Sequence, residues 1–391
     1  MTLAWSILMW VVAGLLAGGV VCLVLGHVSA VRHYRRRPER VLAAECPKVS
    51  ILKPVEGGGP GLYEALESFC RQDYPGEVEI IVGTLSAADP VVSVVERLKL
   101  AHPGVDLRSV VAELRGTNRK TSIMECLWRS AGGELLLFSD ADVRVERDYL
   151  RRLLPYFAGE NMGCVTCLPR GMRGVTSGGR MVALHYGFNN LPQWMLARWT
   201  TGIEWAIGHT MAVRRGVLER LDGFTGFFDH LADDYELGHR VAGLGYRVEV
   251  PSMLLDCMMP REGVRAACRR LLRWKRTMRR ARGAAFLGAG LTYPVFWALG
   301  LALLQPAAAS GWGVLAGVVL LRLLLAARLQ RVLRLPDWRW SWWMLPFLDV
   351  VEGLTFVWAY FGNTVFWAGR RYRLTADGRL ELLSGGGAAE K

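Results

Sequence analysis

Glu134-Leu135-Leu136-Leu137-Phe138-Ser139-Asp140-Ala141-Asp142 sets the architecture expected of this chain. The apolar run predicts a buried strand, and two carboxylates follow at its C-terminal end. Open α/β sheets hold their ligands at that edge. Side chains at i and i+2 of an extended segment point the same way, so Asp140 and Asp142 are expected to face one ligand together. A hard divalent cation, Mg2+ or Mn2+, takes one or two carboxylates and leaves other positions to phosphate oxygens. Asp-x-Asp triplets also arise by chance in solvated turns, so the surroundings must decide.

Upstream, Val49-Ser50-Ile51-Leu52 predicts a short strand ending at Lys53-Pro54. Leu62, Leu66, Phe69 and Cys70 give Leu62–Gln72 helical periodicity, and Asp73-Tyr74-Pro75-Gly76 stops it with a turn. Val78–Gly83 reads as a second strand, and Asp89-Pro90 opens a helix with proline at its favoured first position. Val105–Val111 is a third strand, and Thr117-Asn118-Arg119-Lys120 leads into a helix around Ile123–Arg129. This βαβ spacing predicts an α/β fold with a mainly parallel sheet covered on both faces.

Downstream, Asp148–Phe157 reads as a helix and Cys164–Leu168 as a strand, and then the alternation stops. Met181–Trp199 mixes Trp and Tyr with aliphatic residues beside Arg180 and Arg198, which suits either an interfacial helix at an acceptor groove or a buried core helix. Val217–Leu221 and Asp233–Leu244 are helical, Tyr246–Val250 is a strand, and Glu262–Arg282 is a strongly basic helix.

The chain has 391 residues, 52% of them hydrophobic, with a mean hydropathy of +0.21. That length has room for more than one unit at roughly 150 residues per domain. Apolar runs at Leu3–Val28, Ala284–Ala327 and Met344–Ala368 approach or exceed the about 20 residues that span a bilayer. The net charge of +13 is almost all Arg and gathers beside these runs, at Arg32–Arg40, Arg261–Arg282 and Arg328–Arg339. Such placement favours a membrane surface and argues against nucleic acid. Leu3–Leu25 is uncharged and His33-Tyr34-Arg35-Arg36-Arg37 follows it, the reverse of a cleaved signal peptide. The segment then reads as an uncleaved anchor, N-terminus outside, and with the later apolar runs it predicts a multi-pass membrane protein whose following domain lies in the cytoplasm by the positive-inside rule. Of eight cysteines, only Cys164-Val-Thr-Cys167 has metal or redox spacing, and nothing completes it.

Ala284–Pro306 and Gly311–Ala327 look like a hairpin of spans. The third apolar stretch carries Asp349 and Glu352, which are costly in lipid unless they face protein or water. Three full C-terminal spans would put Arg370-Arg371-Tyr372-Arg373 outside, against the charge rule, so a re-entrant or interfacial arrangement near Pro346 stays open. The expected organisation is an anchor at 1–28, a basic linker at 29–45, a catalytic domain at 46–260, a basic interfacial helix at 261–283, a transmembrane or re-entrant region at 284–370 and a tail at 371–391.

Four polar elements fall at ligand-edge positions: Asp89, the Asp140/Asp142 pair, Asp233-Asp234 at a helix start, and Arg270-Leu271-Leu272-Arg273-Trp274. Sugar transfer from a nucleotide diphosphate needs such parts. A metal must neutralise the leaving diphosphate, a carboxylate must take the acceptor proton, and Arg must steady the developing charge. Asp233 and Asp234 equally suit a helix cap and dipole complement, and Arg270 and Arg273 equally suit anionic lipid heads. His209, in Gly208-His209-Thr210, is either a sugar contact or a packed loop residue.

Asp89, Asp140-Ala-Asp142, Asp234 and Arg270-x-x-Arg273-Trp274 resemble the D, D, D, (Q/R)xxRW signature of lipid-linked and processive family 2/21 glycosyltransferases. More closely, the chain resembles the ceramide glucosyltransferases and their bacterial relatives, including hopanoid-associated enzymes. Further matching stretches are Lys53-Pro54 with Gly57, Ser68-Phe69 with Gln72-Asp73-Tyr74-Pro75, Asn118 with Lys120, and Arg371-Tyr372-Arg373-Leu374. Three features depart from the eukaryotic enzymes: Glu56 stands for a basic residue, Asp142 for a different one, and Asn189-Asn190 for a stretch containing His.

The resemblance implies a GT-A domain working with inversion on a UDP-sugar. Asp234 would be the general base, and Lys53, Asp89, Lys120 and Asp140 would bind the nucleotide-sugar. Asp142 would hold the divalent metal, Arg270, Arg273 and Trp274 the diphosphate and acceptor mouth, and His209 or Asp233 the sugar or acceptor. The expected reaction moves a hexose, glucose first, onto a membrane lipid hydroxyl. The alternatives are N-acetylglucosaminyl or hexosyl transfer to a hopanoid polyol or diacylglycerol, and a basic membrane protein that binds nucleotide or anionic lipid without catalysis.

Overall fold

From residue 49 to 139, strand and helix alternate as their spacing predicts. The computed structural model describes residues 3–36, 46–59, 61–172, 174–336 and 341–383. A long helix α1 (Leu3–Tyr34) leads to β1 (Val49–Pro54), α2 (Leu62–Cys70), β2 (Val78–Thr84), α3 (Pro90–Ala101), β3 (Asp106–Val111), α4 (Arg119–Ser130) and β4 (Leu135–Ser139). Helix α1 thus runs into the stretch read as a linker, and residues 37–45 of that linker lie outside the described residues. Asp89 starts α3 by accepting from the Val91 amide at 2.9 Å, and Asn118 starts α4 by accepting from the Thr121 amide at 3.1 Å.

Strands β1, β2, β3 and β4 are parallel in the spatial order β3-β2-β1-β4. Both sheet faces are covered, so β1 and β4 are buried at every position, as parallel strands require. Leu136 and Phe138 enter one hydrophobic cluster while Leu135 and Leu137 enter the other, across the sheet.

Beyond β4 come β5 (Val143–Arg144), α5 (Tyr149–Leu153) with a 3-10 turn, β6 (Met162–Thr166) and β7 (Leu168–Gly171). Next are α6 (Ser177–Leu184), a π-helical turn over His185–Asn190 and α7 (Leu191–Thr200). The domain finishes with β8 (Thr210–Arg214), α8 (Arg215–Arg220), α9 (Asp233–Gly243), β9 (Arg247–Glu249) and β10 (Leu254–Cys257). Strand β8 joins the main sheet antiparallel to β4 and β6, and β5, β10 and β7 form a second sheet. Met181–Trp199 is mostly core: Met181, Val182, Leu184, Phe188, Leu191 and Met195 are buried, while Trp199 is exposed. Cys164 and Cys167 are buried free thiols.

The C-terminal region comprises α10 (Val264–Arg282), a 3-10 segment, α11 (Pro294–Leu304), α12 (Ala309–Leu333) and α13 (Met344–Trp358), then β11 (Thr364–Trp367), β12 (Arg370–Leu374) and β13 (Leu380–Leu382). Helices α1 and α12 are long and apolar enough to cross a membrane, and α10 with α11 forms a pair bent by 66°. Gly26 lets α1 press on the start of α7, since a Cβ there would lie 2.8 Å from the Pro192 carbonyl oxygen. Helix α13 has 15 residues, a length of about 22 Å against the about 30 Å of a hydrocarbon core.

The stretch read as a tail is partly structured. Strands β11, β12 and β13 form an antiparallel sheet whose Val365, Tyr372, Leu374 and Leu380 pack with Leu231 of the α/β domain. The Leu380 amide donates to the Asp229 carbonyl at 2.7 Å, and the Leu231 amide donates to the Gly378 carbonyl at 3.3 Å. Residues 384–391 lie outside the described residues.

Candidate active site

Strand β4 stops at Ser139, one residue before the acidic triplet. The Val143 amide reaches back to the Asp140 carbonyl at 3.4 Å, so Asp140-Ala141-Asp142 lies in a turn rather than in extended backbone. The Asp140 amide donates to the His209 carbonyl at 3.1 Å, which ties this turn to the loop before β8. Asp142 is open to solvent at the cleft. Its carboxyl is raised above the usual range by desolvation among the surrounding groups and by the like charge of Asp140, with His209 and Lys53 pulling the other way.

Lys120, in the first turn of α4, links two acidic elements distant in sequence. Its ammonium lies 2.7 Å from Asp140 Oδ1 and 3.3 Å from Asp233 Oδ2. Burial opposes the charge on Lys120, but the two carboxylates outweigh it and hold the amine protonated well above its usual range. Buried Asp233 is pushed up to about 6 by desolvation and by Asp234 and Asp140, against the pull of Lys120.

Asp234 sits beside it with a different environment. The Gly208 amide donates to Asp234 Oδ2 and the Tyr235 amide to Oδ1, each at 2.8 Å, which fixes the carboxylate plane. A Cβ on residue 208 would lie 3.2 Å from Lys120 Nζ and 3.3 Å from Asp234 Oδ2, so glycine permits the close approach. Two bonds leave further lone pairs on Asp234 for an incoming proton donor.

Lys53 is completely buried at the end of β1. Its ammonium donates to the Asp140 carbonyl at 2.5 Å and to Ser139 Oγ at 3.1 Å, and it lies over the Phe69 ring. It therefore holds the acidic turn from beneath and does not face the cleft. Asp89 is at the same edge of the parallel strands, with its oxygens taken up by the Val91 and Gly57 amides, each at 2.9 Å. The Val91 bond is the cap of α3, and the Gly57 bond ties the loop after β1 to that helix start.

The basic helix reaches the same cleft. Arg270 pairs with Glu262 through two bonds of 3.0 and 2.9 Å and lies within electrostatic reach of Asp142. Arg273 lies within reach of Asp234, with its guanidinium over the Trp274 ring. Trp274 stacks on His185 at 5.3 Å and lies 5.8 Å from the Tyr186 ring. Tyr186 Oη in turn meets His209 Nε2 at 3.2 Å, and among the described residues His209 Nδ1 has no partner.

Asp140, Asp142, Asp233, Asp234, Lys120, His209, Arg270, Arg273 and Trp274 thus converge. Sequence reasoning had Tyr186 only as one aromatic of a long run, and it did not single out His185. A His-Tyr pair inside an apolar helix was the available signal.

The profile of glycosyl transferase family 21 matches residues 11–380. The chain belongs to this family. Ceramide glucosyltransferase 3 of Caenorhabditis elegans is 28% identical over 237 residues, covering 60% of this chain and 51% of that protein. The family 21 chain thus spans about half the length of that relative. The beta-monoglucosyldiacylglycerol synthase of a Synechocystis strain is 23% identical over 120 residues, covering 30% of this chain and 25% of the relative. A mannosyltransferase of Pyrobaculum calidifontis, solved with GDP-Man and Mn2+, is 23% identical over 90% of this chain and 99% of its own, with a TM-score of 0.55. That likeness shows the fold, and the α/β domain of this family 21 chain is of the GT-A type.

Among the described residues, no group of three or more His, Cys, Asp or Glu side chains is placed to hold a metal ion. The donors at the acidic turn still suit a hard cation. Asp142 is solvent-open, and Asp140 keeps one oxygen beyond the one paired with Lys120. Two carboxylates are enough for Mg2+ or Mn2+ when phosphate and water complete the shell.

Proposed function

We propose that this chain is a membrane-bound inverting glycosyltransferase that moves glucose from a UDP-sugar to a hydroxyl group of a membrane lipid. The observation that carries the reading is the pair Asp233 and Asp234. One carboxylate is buried in an ion pair with Lys120, and its neighbour is held by two amides with its remaining lone pairs free.

Asp234 takes the proton of the acceptor hydroxyl. The acceptor oxygen attacks the anomeric carbon from the face opposite the nucleotide. The bond to the diphosphate oxygen breaks, and UDP departs with the electron pair. Asp142, with the free oxygen of Asp140, would hold a divalent cation, which supplies positive charge to the leaving diphosphate. Arg273 and Arg270 add charge from the basic helix. Lys120 holds Asp140 and Asp233 in register, Lys53 supports the turn, and Asp89 braces the nucleotide side through the Gly57 loop. His209 and Trp274 line the approach of the sugar and acceptor.

The acceptor class is supported by the apolar helices and by the names of the C. elegans and Synechocystis relatives. Ceramide is the first acceptor to test. A diacylglycerol is the second, favoured by the Synechocystis relative. The C-terminal sheet packs on the catalytic domain, and α13 is too short to cross. We therefore place α1, the bent α10–α11 pair and α12 as the membrane part, with Arg370–Arg373 on the catalytic, cytoplasmic side.

The test incubates purified protein with a panel of UDP-sugars and a total lipid extract and identifies glycosylated lipids by mass spectrometry. A hexosyl lipid formed with UDP-glucose is the expected product. Product from UDP-N-acetylglucosamine and none from UDP-glucose overturns the donor, and no glycolipid from any donor overturns the reading.

A further inference from the structure

The C-terminal end of helix α1 lies beside α12. There Val28, Val31, Arg32, Arg35 and Arg36 face Arg328 across a groove of about 400 Å3. Among the described residues, none of these four guanidinium groups has a carboxylate partner. Arginine is the side chain best shaped to take two phosphate oxygens at once.

The surface leading into the groove is apolar. On α12, Leu320 and Leu324 are 59% and 60% exposed and precede Arg328 at four-residue spacing, on one helix face. On α1, Val21 and Val28 are 55% and 45% exposed, and Arg32 and Arg35 continue that face. Each stripe therefore runs from bare hydrocarbon-facing side chains to unpaired positive charge.

We propose that this groove binds one anionic phospholipid, its phosphate held by Arg32, Arg35, Arg36 and Arg328 and its acyl chains lying along the two stripes. No residue of the catalytic cluster takes part, so the site does not depend on the donor or acceptor assigned above. Charge complementarity selects an anionic headgroup over a zwitterionic one, whose ammonium would meet the arginines. The bound lipid would fix the membrane depth of α1 and α12 and hence the height of the catalytic domain above the surface.

The experiment is native mass spectrometry of the full-length protein in detergent with phosphatidylglycerol, phosphatidylcholine or inorganic phosphate. One phosphatidylglycerol retained per chain, with phosphatidylcholine released, is the expected result. Arg32→Gln and Arg328→Gln should each weaken retention about fivefold. Arg328→Lys should recover part of it, and Arg269→Gln, on the exposed face of α10, should have no effect. Equal retention of both lipids overturns the proposal, as does an equal loss with Arg269→Gln, which would mean diffuse surface charge. Displacement of the lipid by millimolar inorganic phosphate would mark a free-anion site and overturn it as well.

Discussion

His185 Nδ1 lies 2.7 Å from Glu352 Oε1, joining the π-helical turn beside the cleft to helix α13. Glu352 is fully buried and also accepts from Lys275 Nζ at 2.9 Å and Asn189 Nδ2 at 2.8 Å. Asn189 and Asp349 bind Arg322 of α12, so polar side chains from four separate elements close into one network. The ring of His185 stacks on Trp274, which places this network directly behind the Trp274 wall of the cleft.

Glu352→Ala leaves Lys275 charged and unpaired in a dry interior, a change that typically costs about 3–5 kcal/mol. A lower thermal unfolding midpoint in detergent is expected, with Glu352→Gln falling between it and the wild type. An unchanged midpoint for the alanine variant contradicts a structural role for the network.

Asp234→Asn keeps the shape of the side chain and removes its basicity. Turnover should fall about 100- to 10,000-fold, the range for loss of a positioned general base. UDP affinity, measured by calorimetry, should stay within about twofold of the wild type because no proton is transferred in the binding step. Loss of UDP binding in parallel with turnover would move Asp234 from base to nucleotide contact.

Chelation by EDTA should abolish transfer, and added Mn2+ or Mg2+ should restore it. Asp142→Asn should raise the metal concentration needed for half-maximal rate by about tenfold or more. Full activity in EDTA would remove the cation from the scheme.

Much of this was legible in the chain. The strands up to β4 and the acidic triplet lie in local runs whose period and turn residues are plain. The cost of Asp349 and Glu352 in lipid was equally plain, but their partners were not. Arg322, Lys275, His185 and Asn189 come from distant elements, and no local pattern pairs them. Lys53 was placed at the nucleotide-sugar by resemblance alone; no local pattern foretold that packing on both faces of β1 buries it under the acidic turn, with its ammonium on the Asp140 carbonyl. The i, i+2 argument for Asp140 and Asp142 also missed its ground, since the strand ends one residue early and a turn gathers the carboxylates.

Asp233 makes stability depend on pH. Its folded pKa of about 6 lies above the ordinary value of 3.8, so the folded chain binds more protons between them. The contribution is fully present below about pH 4 and is lost as pH rises through 6. Asp233→Asn should therefore flatten the decline in unfolding midpoint across this interval. A wild-type midpoint that rises with pH there, and is unaltered by the substitution, contradicts the assignment.

The contacts of residues 378–380 with Asp229 and Leu231 also impose an order on biosynthesis. The loop that presents Asp233 and Asp234 acquires these clasps only after the ribosome has made the apolar helices and delivered the final hairpin. A chain halted within α12 or α13 would carry every acidic residue of the cleft but lack the fastening beneath its base. Prematurely terminated copies would then hold the loop before Asp233 less firmly than the finished chain does.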